Sequence, residues 1–190
     1  YEIHGCLVGS EMCIRDWDQQ RVILATVHRR ENWGERLNDI AAGMLQVLER
    51  YPDTALLLPM HRNPTVREPL QALLGSHPRV VLTEPLDYDR LVAAMKGCCL
   101  LLTDSGGLQE EAPALGKPVL VLRRTTERPE AVDAGTARLV GTDPDVILEE
   151  TSRLLGDATA YQEMSRAVNP FGDGHASERI LERCRRQLGV

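Results

Sequence analysis

The sequence predicts a doubly wound α/β domain, a parallel sheet with helices packed on both faces. Three observations lead there. Short apolar runs without polar alternation recur along the chain: RVILATV at 21–27, ALLLP at 55–59, RVVLT at 79–83, CCLLLT at 98–103 and PVLVL at 118–122. A strand buried on both faces reads in this way. Amphipathic stretches with helical spacing lie between most of the runs, and such alternation is the sequence form of successive βα units. In sheets of this kind, ligands sit in the crevice beyond the carboxyl ends of the strands.

After the first strand, Gly34 to Arg50 carries an apolar stripe of Leu37, Ile40, Ala41, Met44, Leu45, Val47 and Leu48, and Pro52 and Asp53 stop the helix. The second strand is followed by a helix through Val66, Leu70, Leu73 and Leu74, closed by Gly75. The third leads to a helix from Asp87 to Lys96, and the fourth to one over 107–115. After the fifth come a long polar loop, a short strand from Ala137 to Val140, and two or three C-terminal helices. The first sixteen residues, YEIHGCLVGSEMCIRD, show no period. Two readings of 1–16 stay open, a disordered segment or one foreign to the native gene, and the α/β domain is expected over 17–190.

Of the 190 residues, 43% are hydrophobic but only 4% aromatic, so the core must be aliphatic. A net charge of -6 argues against a nucleic-acid or anionic-membrane surface, though not against a basic pocket in one cleft. No apolar stretch approaches the roughly 20 residues that span a bilayer, and no secretory signal pattern opens the chain. The five cysteines (Cys6, Cys13, Cys98, Cys99 and Cys184) form no C-x-x-C pair or zinc spacing, which fits a reducing cytoplasm. No metal is expected: the histidines form no H-E-x-x-H pair.

The strongest local signal is TDSGGLQEE at 103–111, where a strand hands over to a helix. Gly106 and Gly107 lack Cβ atoms, so backbone N–H groups can approach a ligand closely. The helix start adds unpaired donors and a positive dipole end, and Ser105 a hydroxyl. Together these describe a diphosphate cradle without a lysine. Glu111 follows one turn deeper, about 5.4 Å along the axis, where a carboxylate can accept bonds from two vicinal ribose hydroxyls. The same residues also read as an ordinary capped helix start, with Glu110 and Glu111 complementing the dipole. There is no G-x-G-x-x-G, and Pro118 after Lys117 excludes a P-loop.

HRREN at 28–32 follows the first strand, and PMHRNP at 59–64 ends the second, so His28, His61 and Arg62 are expected on one edge of the sheet. RRTTERPE at 123–130 brings Arg123, Arg124 and Arg128, with Thr125 and Thr126, to the same edge. Arginine forks and a histidine suit an anionic ligand; the alternative is a set of solvated polar turns. NPFGDGHA at 169–176 reads as a loop entering a helix.

With these segments in view, the chain resembles the non-hydrolysing bacterial UDP-N-acetylglucosamine 2-epimerases. HRREN, the H-x-N-P of His61 to Pro64, DSGGLQEEAPALGKPVLVLR, TTERPEAVDAGT and NPFGDG match that family in order and spacing, over about Arg21 to Leu188. The resemblance implies a Rossmann-like fold, the C-terminal lobe of a glycosyltransferase-B type two-lobe enzyme whose N-terminal lobe is absent from this chain. It implies interconversion of UDP-GlcNAc and UDP-ManNAc for surface polysaccharide synthesis, by anti elimination of UDP to a 2-acetamidoglucal and re-addition, with no cofactor. His28, Ser105, Gly106, Gly107, Glu111 and Arg128 would hold substrate, and His28 would also assist the departing diphosphate. Arg29 and His61 match residues that in some members bind a second UDP-GlcNAc as activator. A homodimer is implied for the full-length protein.

Two departures matter. The lobe that supplies carboxylates for proton transfer at C2 is missing, so the chain is expected to be inactive alone. Leu86 and Leu91, in EPLDYDRL, stand where some relatives have a polar and an aromatic residue near the uracil. Two other classes stay open: a glycosyltransferase lobe of the same architecture, told by sugar transfer without epimerisation, and a non-catalytic nucleotide-sugar-binding module, told by useful affinity in the isolated chain.

Overall fold

The computed structural model describes Gln20–Gly189, so the expectation for 1–16 lies outside the described residues. Six parallel strands form one sheet: β1 (Arg21–Thr26), β2 (Thr54–Pro59), β3 (Val80–Thr83), β4 (Leu100–Thr103), β5 (Val119–Val121) and β6 (Ala137–Leu139). Their order is β3-β2-β1-β4-β5-β6, the Rossmann arrangement. The order reverses between β1 and β4, which pair from Ile23↔Leu100 to Thr26↔Thr103. A crevice therefore opens beyond those two strand ends.

Eight α-helices lie among the described residues: α1 (Glu35–Arg50), α2 (Pro64–Leu74), α3 (Tyr88–Gly97), α4 (Gly106–Ala114), α5 (Pro129–Asp133), α6 (Pro144–Gly156), α7 (Ala158–Ser165) and α8 (Ala176–Leu188). The period of two along each strand sorts the side chains into two cores. Ile23, Leu56, Leu58, Leu100, Leu102 and Leu120 pack with α1, α2, α6 and α7 on one face. Leu24, Leu57, Leu101, Val119 and Val121 pack with α3, α4 and α5 on the other. Double-sided burial is why these strands read as unbroken apolar runs.

Element edges shift by a residue or two where local bonding decides them. The CCLLLT run begins as a strand only at Leu100, because the Cys98 N–H still closes α3 on the Ala94 carbonyl at 2.9 Å. Cys98 packs as a buried hydrophobe and Cys99 as a half-buried one; burial pushes their thiols up to about 12 and about 11. The polar stretch after β5 is not all loop, since Pro129 at the first helical position starts α5. Gly75 closes α2 in the right-handed region rather than by a left-handed turn.

Gly43 shows how closely α1 and α6 approach: a Cβ there would lie 3.0 Å from the Ile147 Cβ and 3.1 Å from the Pro144 Cα. Helix propensity alone makes Gly43→Ala stabilising by about 1 kcal/mol. The rigid neighbours reverse the sign, because overpacking costs about 1–3 kcal/mol. Urea unfolding of Gly43→Ala is expected to show a net loss of about 1 kcal/mol; a gain would mean the helices separate freely.

Candidate nucleotide site

The crevice at the β1–β4 reversal is built around Asp104, which follows β4 and is fully buried. Its backbone N–H donates to the Thr26 carbonyl at 3.2 Å. Its Oδ2 accepts from the backbone N–H groups of Arg29 (2.8 Å) and His28 (3.0 Å) and from Asn32 Nδ2 (3.0 Å). Its Oδ1 lies 2.9 Å from His28 Nδ1. Asn32, also buried, donates to the Leu122 carbonyl at 3.1 Å, drawing in the end of β5. Burial works to raise the Asp104 carboxyl, but the His28 ring and the backbone donors outweigh it and hold the group below its ordinary value.

The segment after β1 is thereby folded over the start of α4. Ser105 caps α4 with a long 3.5 Å contact from the Leu108 N–H, and its own N–H donates to Thr103 Oγ1 at 3.0 Å. Thr103 Oγ1 in turn bonds Thr26 Oγ1 at 2.6 Å. A Cβ at Gly107 would lie 3.8 Å from Glu111 Oε1 and 3.9 Å from Ser105 Oγ, so these three expected residues converge. Both distances are ordinary contacts: the packing alone does not demand glycine there. Glu111 Oε2 is buried with no hydrogen-bond partner. A Cβ at Gly106 would lie 3.4 Å from an Arg29 guanidinium nitrogen, which places Arg29 beside the turn. Arg29 also pairs with Glu127 at 3.5 Å, while its Nε is buried without a partner. The His28 and His61 rings stack, with centroids 6.1 Å apart and planes 21° apart.

Arg128 approaches the same helix differently. Its guanidinium pairs with Glu110 and donates to the Glu127 carbonyl at 3.0 Å, rather than touching Ser105 or Glu111. The loop is fastened to α4 by Thr126 Oγ1, which donates to Gln109 Oε1 at 2.5 Å, and by Gln109 Nε2, which donates to the Ser105 carbonyl at 3.0 Å. Arg123 does not face the crevice as an open cation: it is only 6% exposed and is held by Glu31 at 2.5 Å and by Glu127. Those hydrogen bonds raise the Arg123 guanidinium further and hold Glu127 at about 2. Arg124 and Arg36, with Glu31, Asn32, Thr125 and Thr142, line a recess of about 200 Å³ on this edge.

Asp104, Asn32, Glu31, Glu127 and Gln109 were not among the expected site residues. An aspartate directly after a fully buried strand, at a helix start, was the available signal for Asp104. Among the described residues no cluster of His, Cys, Asp or Glu could hold a metal, and no helix is long and apolar enough to cross a membrane.

Strand order and this polar corner define a Rossmann-like lobe with a polar crevice at the strand reversal. The family model for UDP-N-acetylglucosamine 2-epimerase matches residues 6–185, and the chain belongs to that family. The Escherichia coli K12 UDP-N-acetylglucosamine 2-epimerase is 53% identical over 163 residues, covering 86% of this chain and 43% of the relative. The Neisseria meningitidis UDP-GlcNAc 2-epimerase, solved bound to UDP-GlcNAc, superposes with a TM-score of 0.84 at 47% identity, over 89% of this chain and 46% of that one. The chain thus spans less than half the length of either. The C-terminal domain of a group 1 glycosyl transferase from Francisella tularensis shares the fold at a TM-score of 0.58 and 14% identity, over 83% of this chain and 86% of that one.

Removing the Asp104 carboxylate leaves its donors unpaired. Asp104→Ala is expected to cost about 3–5 kcal/mol at pH 7. Because folding lowers the Asp104 pKa, its stabilisation is whole above about pH 5 and is lost as the pH falls through the folded value, below about 4. Urea midpoints of wild type and variant should therefore converge toward pH 3; a constant gap would contradict the assignment.

Proposed function

We propose that this chain is the UDP-binding half of a non-hydrolysing UDP-N-acetylglucosamine 2-epimerase, with residues 17–190 as its α/β lobe. The observation that carries the reading is the Glu111 Oε2 atom, buried and unpartnered one turn behind a glycine pair at a helix start. A buried acceptor without a donor costs about 1–3 kcal/mol unless a ligand satisfies it. In this reading the N–H groups at Gly106 and Gly107 and the Ser105 hydroxyl take the diphosphate, and Glu111 takes the ribose hydroxyls.

The reaction removes the proton at C2 and breaks the C1–oxygen bond, so that C1=C2 forms and the bonding electrons leave with UDP. Negative charge then grows on the diphosphate, and donors fixed in advance at the α4 start stabilise it without reorganising. His28 gives that oxygen a proton, and Arg128 closes on the substrate by exchanging Glu110 for it. Carboxylates of a second lobe, facing this crevice, handle the C2 proton. Arg29 and His61, beside the turn and the His28 ring, form the part of an activator site for a second UDP-GlcNAc. A homodimer and a cytoplasmic location complete the proposal.

Calorimetry with UDP tests the site. Glu111→Ala should weaken binding about ten- to a hundredfold, the worth of charge-assisted ribose bonds. Unchanged affinity would remove Glu111 from the site. Gly107→Ala is the sharper variant. Since a Cβ there meets only ordinary contacts, stability should stay within about 0.5 kcal/mol while UDP affinity falls about tenfold or more. Equal affinity would mean the diphosphate lies elsewhere. The isolated chain should incorporate no solvent deuterium at C2 of UDP-GlcNAc, and incorporation would show that it needs no second lobe.

A further inference from the structure

The two stacked histidine rings at the strand ends, His28 and His61, are held in opposite ways. Asp104 Oδ2 already accepts three N–H groups, from Arg29, His28 and Asn32, at 2.8–3.0 Å. Its Oδ1 faces His28 Nδ1 at 2.9 Å and takes a longer, shared contact from the His28 backbone N–H at 3.2 Å. An ionised carboxylate only accepts, so His28 Nδ1 must carry a proton whatever the charge of the ring. In His61 the arrangement is reversed: Nδ1 accepts from the Asn63 backbone N–H at 3.1 Å, so the neutral ring carries its proton on Nε2. His77 matches His61, with Nδ1 accepting from the Arg79 N–H at 3.2 Å.

We propose that Asp104 is a positioning residue that fixes His28 as the Nδ1–H tautomer, leaving Nε2 as the nitrogen that takes up and releases a proton in the crevice. Asp104 is not free to turn away and release the ring, because three bonds on Oδ2 also tie it to the segment that follows β1. Fold and tautomer are therefore set by the same carboxylate, the tautomer through Oδ1 and the shorter backbone and Asn32 bonds through Oδ2. The proton ledger is simple. Protonated His28 transfers its Nε2 proton to an oxygen of the departing diphosphate, becomes neutral with Nδ1–H still on Asp104, and takes the proton back when UDP re-adds. Asp104 remains ionised throughout. This last step rests on the nucleotide reading of the site; the tautomer assignment does not.

The charge-to-amide change separates the two oxygens. In Asp104→Asn, the amide oxygen at the Oδ2 position keeps the three N–H bonds and only the longer Oδ1 contact of the His28 N–H is given up, while the amide NH₂ then faces His28 Nδ1. An NH₂ there forces Nδ1 to accept and moves the neutral ring's proton to Nε2. The same logic explains why an aspartate-to-asparagine change behind a catalytic histidine spares geometry while crippling proton transfer.

The test is long-range ¹H–¹⁵N correlation NMR of the 190-residue chain, labelled on histidine and recorded above neutral pH. Wild-type His28 should show the Nδ1–H pattern, with His61 and His77 as Nε2–H controls in the same spectrum. Folded Asp104→Asn should show His28 converted to the control pattern. A wild-type His28 in the Nε2–H form, or a folded variant with an unchanged tautomer, overturns the proposal, and the wild-type spectrum decides the first point even if the variant does not fold. Saturation with UDP should then move the His28 Nε2 resonance and leave that of His77 in place. UDP binding with no movement at Nε2 removes the proton-transfer step. No UDP binding at all counts against the nucleotide reading instead, with the tautomer result intact.

Discussion

A single buried carboxylate holds the working edge of this domain together. Asp104 follows the fourth strand, yet its oxygens are spent almost entirely on the segment that follows the first. A doubly wound sheet leaves a gap where its strand order reverses, because the crossovers on either side run to opposite faces. Here the gap lies between β1 and β4, and Asp104 spans it. A charge buried so deeply persists only when donors replace its lost hydration. Those donors are the backbone and side chains of HRREN, which is why that short segment must lie where it does.

From this constraint the rest of the corner follows. Folding the β1 loop onto Asp104 sets Arg29 beside Gly106 and the His28 ring against His61. Arg123 and Glu127, tied to each other and to Glu31, brace the neighbouring loop. The cations of this edge therefore divide into two kinds. Arg123 is neutralised and structural, whereas Arg29, with a buried Nε lacking a partner, retains bonding capacity toward the turn. Counting arginines in the sequence does not distinguish the two; their burial and carboxylate partners do.

The strands were legible because burial on both faces leaves a plain mark, as in LLLT of β4 and TALLLP of β2. The convergence of Ser105, Gly107 and Glu111 was legible for a similarly local reason, the spacing of one helical turn. Asp104 was not, because its role depends on donors more than seventy residues away, and no window along the chain brings the two segments together. Arg128 marks another limit. Its place on the loop was foreseen, but its pairing with Glu110 depends on how α5 begins at Pro129. The first sixteen residues belong to no such pattern.

The most direct measurement is a crystal structure of this chain with UDP. The diphosphate should lie on the backbone N–H groups of Gly106 and Gly107, with a ribose hydroxyl within hydrogen-bond reach of Glu111 Oε2 and the Asp104 contacts unchanged. A nucleotide seated away from the β1–β4 reversal, or one that leaves Glu111 Oε2 unpaired, would contradict the account.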